Sequence, residues 1–166
     1  VEVVNPPGIE FLNDKQFYRL IPTLISAYLG EEPILGNLHT LRFGEMTATG
    51  FVFSPDTWNS VFDNKANPNA KATWVVKQVE GRGGDQVWVG RFEDNATWAA
   101  LAELVKADPA TYIAQEYMSL SYIDFGGERY LTDFRYICYV DADKIIVSAV
   151  PWGRAVNTTT GKVNLS

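Results

Sequence analysis

The chain has 166 residues, of which 46% are hydrophobic and 20% are charged, and its formal net charge is -6. This length predicts about one folded domain, and the near-average composition excludes collagen-like, coiled-coil and wholly disordered chains. The acidic excess disfavours broad nucleic-acid binding, which needs a surplus of Lys and Arg. Cys138 is the single cysteine, which excludes an intrachain disulfide. No apolar run reaches the roughly 18 to 20 residues of a membrane helix, so the cytoplasm is the predicted location.

The N-terminal part predicts one amphipathic helix. Asn13 and Asp14 offer N-cap oxygens to a segment whose apolar residues recur at three- and four-residue steps. The helix is expected to end at Gly30, where a glycine permits the left-handed conformation of a helix end. Pro22 predicts either a kink or a later start of the helix.

The rest of the chain predicts strands around a second helix. Residues 54–70 are expected to form a surface loop around one short helical turn. The second helix is predicted from a cap at Asp94 or Asn95 to about residue 108. Its buried face is expected to contain Trp98, Leu101, Leu104 and Val105. β-branched and aromatic residues predict strands over Trp74–Val79, Gln86–Arg91, Tyr112–Tyr117, Tyr130–Val140 and Lys144–Val150. Strands grouped around two helices predict the α+β class.

The clearest chemical signal is the segment 77–84, where a lysine precedes a glycine-rich turn between two strands. Glycines let consecutive backbone N–H groups cradle phosphate oxygens, and Lys77 adds a positive charge. A strand follows the glycines and no Gly-Lys-Ser/Thr motif opens a helix, so the segment fits neither a Rossmann fingerprint nor a P-loop. A strand–loop–strand cover over a nucleotide's phosphates remains, beside an ordinary hairpin turn that uses Gly for positive φ.

Three further groups of polar residues are candidates for the same ligand. Gln115 and Glu116 end a predicted strand, where they fit an adenine edge and a ribose or simply reach solvent. Asp133 and Arg135 share one strand face by the two-residue period, either at a ligand or as a solvated ion pair. Arg154 offers a guanidinium fork for a terminal phosphate, and capping of a backbone carbonyl is the alternative.

The order of these residues along the chain resembles the nucleotide-binding half of the ATP-grasp superfamily. The opening turn Asn5-Pro6-Pro7-Gly8, then Lys15, then a helix ending Tyr28-Leu29-Gly30-Glu31-Glu32-Pro33 make the chain similar to circularly permuted ATP-grasp proteins related to glutathionylspermidine synthetase. The resemblance implies an ATP-grasp-like α+β fold of antiparallel sheets with flanking helices. Residues 1–166 would form its nucleotide-binding region, an incomplete portion of the fold of a longer chain.

The resemblance also implies an ATP-dependent carboxylate–amine ligase, which phosphorylates a carboxylate to an acylphosphate that an amine then attacks. Its cofactors would be ATP and Mg2+, and its substrates a small-molecule or peptide carboxylate and an amine acceptor. Neither step needs a protein nucleophile, because Lys, Arg and magnesium supply positioning and charge neutralisation. His39 and Cys138 are therefore interpreted as structural. A non-catalytic nucleotide-binding or scaffold domain that retains the fold is the alternative, and an unrelated α+β binding module is a third interpretation.

Site residues follow from the same resemblance. Asn5 matches a magnesium ligand, and Arg135 and Arg154 match catalytic groups at the transferred phosphate. The residues implied to bind ATP are Lys15, Lys77, Gln78, Gly81, Gly83, Gly84, Gln115, Glu116, Tyr117 and Asp133. Among them, the two lysines match phosphate-binding positions, the glycines a flexible loop, and residues 115–117 a hinge that reads adenine and ribose.

Overall fold

The computed structural model describes residues 14–63, 65, 67–80, 85–141 and 144–157, which divide after Tyr117 into two compact units. Helices occur together with antiparallel sheets, which confirms the predicted α+β class. The helices run Phe17–Leu29 (α1), Pro55–Phe62 (α2), Ala70–Thr73 (α3) and Asn95–Ala107 (α4). The strands run Thr40–Arg42 (β1), Gly44–Thr47 (β2), Gly50–Phe53 (β3), Trp74–Gln78 (β4), Val87–Val89 (β5), Tyr112–Glu116 (β6), Ser121–Phe125 (β7), Glu128–Arg135 (β8), Cys138–Asp141 (β9), Lys144–Val147 (β10) and Trp152–Asn157 (β11). In these described ranges, no helix combines the length and the apolar character that crossing a membrane requires.

The first unit is built on a four-stranded antiparallel sheet with the strand order β1-β6-β4-β5. Gln115 of β6 lies opposite Val75 of β4 on one side and opposite Thr40 of β1 on the other. Side chains alternate between the two faces of a strand, so Lys77 shares a face with these three residues. The other face carries the hydrophobic core.

The core of the first unit forms where α2, α3 and α4 pack on this sheet. Its buried residues are Phe43, Val61, Phe62, Ala70, Trp74, Val76, Trp98, Leu101, Ala102, Val105, Tyr112 and Ala114. Phe62 lies at the centre of the aromatic contacts, with ring centroids 5.2 Å from Trp98 and 5.8 Å from Phe43. The core covers one face of the sheet, and on the opposite face the buried Val75 and Ile113 lie beside Lys77 and Gln115.

Helix α1 begins at Phe17, so Pro22 lies within it and does not delay its start. A proline has no N–H, which leaves the carbonyl four residues earlier, that of Tyr18, without its helical donor. The side-chain amide of Asn37 donates to this carbonyl at 2.9 Å. The helix ends at Gly30, with φ of 66°, as the sequence predicts.

The prediction of a surface loop around one short helical turn over residues 54–70 is wrong in the extent of the helix, because α2 occupies the first half of this segment. Ser54 caps this helix by accepting from the Thr57 N–H at 3.3 Å, and Pro55 supplies a φ already suited to the first helical position. Val61 and Phe62 are buried in the core. Pro55 therefore lies at the start of the helix and Asn67, Pro68 and Asn69 lie beyond its end, whereas Asn59 lies within it.

Helix α4 is capped as predicted, with the Asp94 carboxylate accepting from the Thr97 N–H at 2.7 Å. Its buried face differs from the prediction at one position, because Leu104 is 53% exposed and Ala102 is buried instead. Each residue turns a helix by about 100°, which places Leu104 that far from Val105 and away from the core.

Strand β5 covers only Val87–Val89 of the predicted strand Gln86–Arg91. A 3-10 turn begins at Gly90, whose backbone lies so close to the carbonyl oxygen of Lys71 that a Cβ atom would not fit. Close packing of the backbone therefore ends this strand early.

The second unit contains a three-stranded antiparallel sheet with the order β11-β8-β7 and a two-stranded hairpin of β9 and β10. The single strand predicted over Tyr130–Val140 is wrong, because β8 pairs with β7 and β11 whereas β9 pairs with β10. One strand thus divides into two that belong to different sheets. Gly126 and Gly127, with φ of 63° and 82°, join β7 to β8 by a two-residue turn that requires positive φ at both positions.

Candidate functional site

The face of the first unit's sheet opposite the core carries a hydrogen-bonded row of polar side chains. Lys77 Nζ on β4 donates to Gln115 Oε1 on β6 at 2.6 Å. Gln115 Nε2 in turn donates to Thr40 Oγ1 on β1 at 3.1 Å. Gln115 and Thr40 are buried, whereas Lys77 is partly exposed toward the end of its strand. The row therefore presents one ammonium group at the edge of a fixed polar network.

A second ammonium group reaches the same end of β4. Lys15 precedes α1, and its Nζ donates to the carbonyl of Val79 at 3.1 Å. Val79 follows Lys77 by two residues, so this bond brings the two lysines together although 62 positions separate them in the sequence, the difference between 77 and 15. We call Lys15, Lys77, Gln115 and Thr40 the lysine cluster.

Burial acts on both lysines of the cluster, and the charge of Lys15 acts on Lys77. Burial lowers the pKa of Lys77 below its usual value, and the nearby charge of Lys15 lowers this pKa further. Burial also lowers the pKa of Lys15, an effect that the carboxylate of Asp14 opposes. Each lysine thus carries its charge at a cost, which a bound anion would reduce.

The other predicted nucleotide residues that the structure describes in this unit have contacts outside the cluster. Gln78 alternates to the face of β4 opposite that of Lys77. Glu116 is exposed at the end of β6, and its backbone N–H donates to the carbonyl of His39 at 2.8 Å. Tyr117 packs beneath the guanidinium group of Arg91, which lies 4.4 Å from the ring centroid.

The second unit brings together its own predicted residues across β8 and β11. Arg154 lies directly opposite Asp133, donating from Nε to Oδ1 at 2.8 Å and from Nη2 to Oδ2. These hydrogen bonds lower the pKa of Asp133. The tight ion pair therefore forms between two strands, and not along β8 between Asp133 and Arg135. The guanidinium of Arg135 lies instead 5.6 Å from the ring centroid of Trp152.

Four predicted site residues, Asn5, Gly81, Gly83 and Gly84, lie outside the described residues. Within the ranges that are described, no three His, Cys, Asp or Glu side chains group as a metal site would require.

Thr40 is the member of the cluster that the sequence does not indicate. Its partner Gln115 is 75 residues away, and only the register of β1 against β6 brings the two together. A lone threonine in an unpatterned segment carries no local signal for such a contact. By contrast, Gly126-Gly127 is a recognisable hairpin signal, from which β7 could have been predicted.

Comparison with known proteins identifies the family of the chain. The family model for circularly permuted ATP-grasp type 2 matches residues 1–149. A Frankia alni protein named putative glutamate–cysteine ligase 2-3 is 29% identical over 97% of the chain, and a Frankia casuarinae protein named putative glutamate–cysteine ligase 2-2 is 28% identical over the same share. An uncharacterized protein of Synechocystis is 31% identical over 73% of the chain and 22% of its own length. The chain spans 18% of the length of each Frankia relative. The match to the family model confirms the predicted family: the chain belongs to the circularly permuted ATP-grasp family.

Proposed function

We propose that the chain is the ATP-binding region of a longer, cytoplasmic ATP-dependent carboxylate–amine ligase that acts through an acylphosphate. Membership of the ATP-grasp family supports the nucleotide. The names of the Frankia relatives, glutamate–cysteine ligases, describe the joining of a carboxylate to an amine. The substrates are accordingly a small-molecule or peptide carboxylate and an amine acceptor.

The observation that carries this proposal is the pairing of two ammonium groups at one end of β4. The Lys77 ammonium donates to a neutral amide oxygen, and the positive charge of Lys15 repels the charge of Lys77. Two like charges held together in a partly buried place fit a polyanion, since each phosphate oxygen bound between them relieves their repulsion. A nucleotide triphosphate is such a ligand.

The ammonium groups of the lysine cluster are therefore suitable hydrogen-bond donors for the phosphates of ATP. Lys15 and Lys77 would bind phosphate oxygens, and Gln115 would keep the Lys77 ammonium in place as the ligand arrives. Asn5 is the proposed ligand for Mg2+, with the backbone of Gly81, Gly83 and Gly84 over the phosphates. When bound, Mg2+ supplies positive charge that stabilises the transferred phosphate.

Arg154 is suited to phosphate binding by the way in which Asp133 holds it. A guanidinium has five N–H donors, and two of those of Arg154 are used on Asp133. Three donors then remain for an anion, in a plane that the ion pair has already fixed. Arg135 on the same face adds a second cation, and both are proposed to stabilise charge on the transferred phosphate.

The proposal predicts that Lys77→Ala weakens the binding of ATP in the presence of Mg2+. Loss of a charge-assisted hydrogen bond corresponds to a roughly 10- to 100-fold rise in Kd, which isothermal titration calorimetry of the full chain measures directly. Lys71→Ala is the matched control, because this partly exposed lysine of the same unit donates to Asn95 instead, and its Kd should equal that of the wild type. An unchanged Kd for Lys77→Ala would contradict ATP binding at the cluster.

Turnover separates the ligase from its alternative, a nucleotide-binding domain without catalysis. Glutamate and cysteine are the first substrate probes, given the names of the relatives. Release of ADP that requires both a carboxylate and an amine supports the ligase. ATP binding without such release, in the full-length protein, supports the non-catalytic alternative.

A further inference from the structure

We infer that Thr40 is a positioning residue for Lys77, which it holds at the phosphate-binding end of β4 by fixing the orientation of the Gln115 amide. This role rests on the proposed ATP site, because it assigns to Thr40 the task of preparing that site before the nucleotide binds. The three side chains lie on three adjacent strands of the sheet, β1, β6 and β4.

The direction of every hydrogen bond in the row follows from its ends. A charged lysine can only donate, so the atom of Gln115 that faces Lys77 must be the oxygen Oε1. The amide nitrogen Nε2 then faces Thr40 and must donate to its hydroxyl oxygen. The Thr40 hydroxyl keeps its own proton free and donates it to the carbonyl of Leu38 at 3.0 Å. The backbone thereby fixes the direction of the whole row.

Burial gives this orientation its strength. Thr40 and Gln115 are 6% and 9% exposed, so water offers Gln115 little replacement for a lost partner. A flipped amide would point its NH2 group at the Lys77 ammonium and leave Oε1 facing the hydroxyl. Such an arrangement opposes donor to donor and removes the acceptor from the lysine. The Thr40 hydroxyl, whose own proton is used on Leu38, accepts from Nε2 and so adds to the preference that Lys77 imposes for the unflipped amide.

The sheet supplies the spacing that these hydrogen bonds need. We call the chain of contacts from Thr40 through Gln115 to Lys77 the relay. Thr40 and Gln115 lie directly opposite each other, and Gln115 and Val75 form the next cross-strand pair. Lys77 follows Val75 by two residues on the same face, so its side chain reaches back diagonally to Gln115. Val87 of β5, directly opposite Lys77, offers no competing polar group.

The relay acts on a lysine whose charge is also affected by its neighbours. Lys15 is the charged group acting on Lys77, and Asp14 acts on Lys15. An acceptor oxygen held against Lys77 favours the charged ammonium, in opposition to burial and to Lys15. Removing the Thr40 hydroxyl should therefore lower the pKa of Lys77 further.

The test is an NMR titration of the lysine side chains in the full chain, without nucleotide. Thr40→Val should lower the pKa of Lys77, and Thr40→Ser, which keeps the hydroxyl, should restore it. Thr73→Val is the matched control, because its hydroxyl donates to the carbonyl of Asn69 away from the cluster. A Lys77 titration that is unchanged in Thr40→Val, or equally shifted in Thr73→Val, would overturn the positioning role.

A second variant tests the orientation itself. Gln115→Glu places two equivalent acceptor oxygens in the row, so the side chain no longer needs to be oriented. This change should raise the pKa of Lys77 and abolish the effect of adding Thr40→Val. The single variant Gln115→Glu also serves if Thr40→Val does not fold, and a Lys77 pKa that fails to rise would contradict the relay.

ATP affinity links the relay to function. Thr40→Val should raise the Kd for Mg-ATP roughly 5- to 10-fold, and Thr40→Ser should restore it. If the wild-type chain binds no ATP, the proposed function fails while the NMR titration still tests the relay. If ATP binds and Thr40→Val leaves both the Kd and the titration unchanged, the relay fails alone.

Discussion

Lys77 shows how a single residue can bear a cost in stability for a binding site. Its ammonium is partly buried, near another positive charge, with a neutral amide as its hydrogen-bond acceptor. A hydrophobic residue would be easier to accommodate at such a position. The cost therefore falls on folding, and it should be visible in the pH dependence of stability.

We predict that the free energy of unfolding contains a rising contribution from Lys77 at alkaline pH. Its pKa is lowered in the folded chain but near 10.5 in the unfolded chain, so between these values the unfolded state binds more protons and stability increases with pH. Urea unfolding of Lys77→Met, from neutral pH to about pH 10.5, should lack this rise. Lys71→Met should run parallel to the wild type, and a Lys77→Met curve that also runs parallel would contradict the prediction.

At the scale of the element, α4 contains an internal comparison between two leucines. Leu101 is 1% exposed in the core, whereas Leu104, three residues later on the same helix, is 53% exposed. Both have the same helix propensity and the same chemistry. Any difference between their alanine variants therefore reports packing alone.

Leu101→Ala should destabilise the chain by about 2 to 5 kcal/mol, because it removes buried atoms and leaves a cavity. Leu104→Ala should cost under about 1 kcal/mol, as expected for a largely exposed side chain. Urea unfolding of both variants measures the difference. Equal losses would mean that α4 packs through the face that the sequence alone suggests, which includes Leu104.

The elements that the sequence predicts well are those with strong local signals. Helix α1 ends at Gly30, α4 begins directly after its cap Asp94, and β4 contains the β-branched residues that predict it. The first three strands are too short, at three or four residues each, to show a two-residue period. The break between β8 and β9 has no sequence signal because it results from a change of pairing partner.

At the scale of the whole molecule, the two units differ in how they bury apolar surface. Among the residues described, every hydrophobic side chain of the buried class belongs to the first unit, and Thr132 is the one buried residue of the second. In the second unit, large side chains such as Phe125 and Ile145 are about three quarters exposed. The first unit therefore has the larger store of hydrophobic stabilisation.

Hydrogen exchange should reveal this difference. Backbone amides of β4 and β6, central in the sheet and next to the core, should exchange slowest in the full chain. Amides of the hairpin β9–β10, whose described side chains are exposed, should exchange much faster. Mass spectrometry of peptides from these segments measures the exchange. Equal protection of the β9–β10 hairpin and of β4 and β6 would contradict the prediction.

In the candidate site, as in the fold, the sequence predicts the residues but not the strand pairing that brings them together. Lys77 and Gln115 are recognisable because each lies near the end of a patterned strand, but their mutual hydrogen bond depends on the pairing of β4 with β6. The Asp133–Arg154 ion pair likewise depends on the register of β8 with β11. Residue types can be read from the sequence, whereas partners follow from registers that only the assembled sheet defines.

The pairing of β1 with β6 has a consequence for the order in which the protein is made. Thr40 leaves the ribosome 75 residues before Gln115. At about 5 to 20 residues per second, this is a delay of roughly 4 to 15 seconds. During translation β1 must wait as an unpaired strand, whereas β7 and β8 can pair as soon as both have emerged. The positioning of Lys77 is thus completed only after β6 has been synthesised.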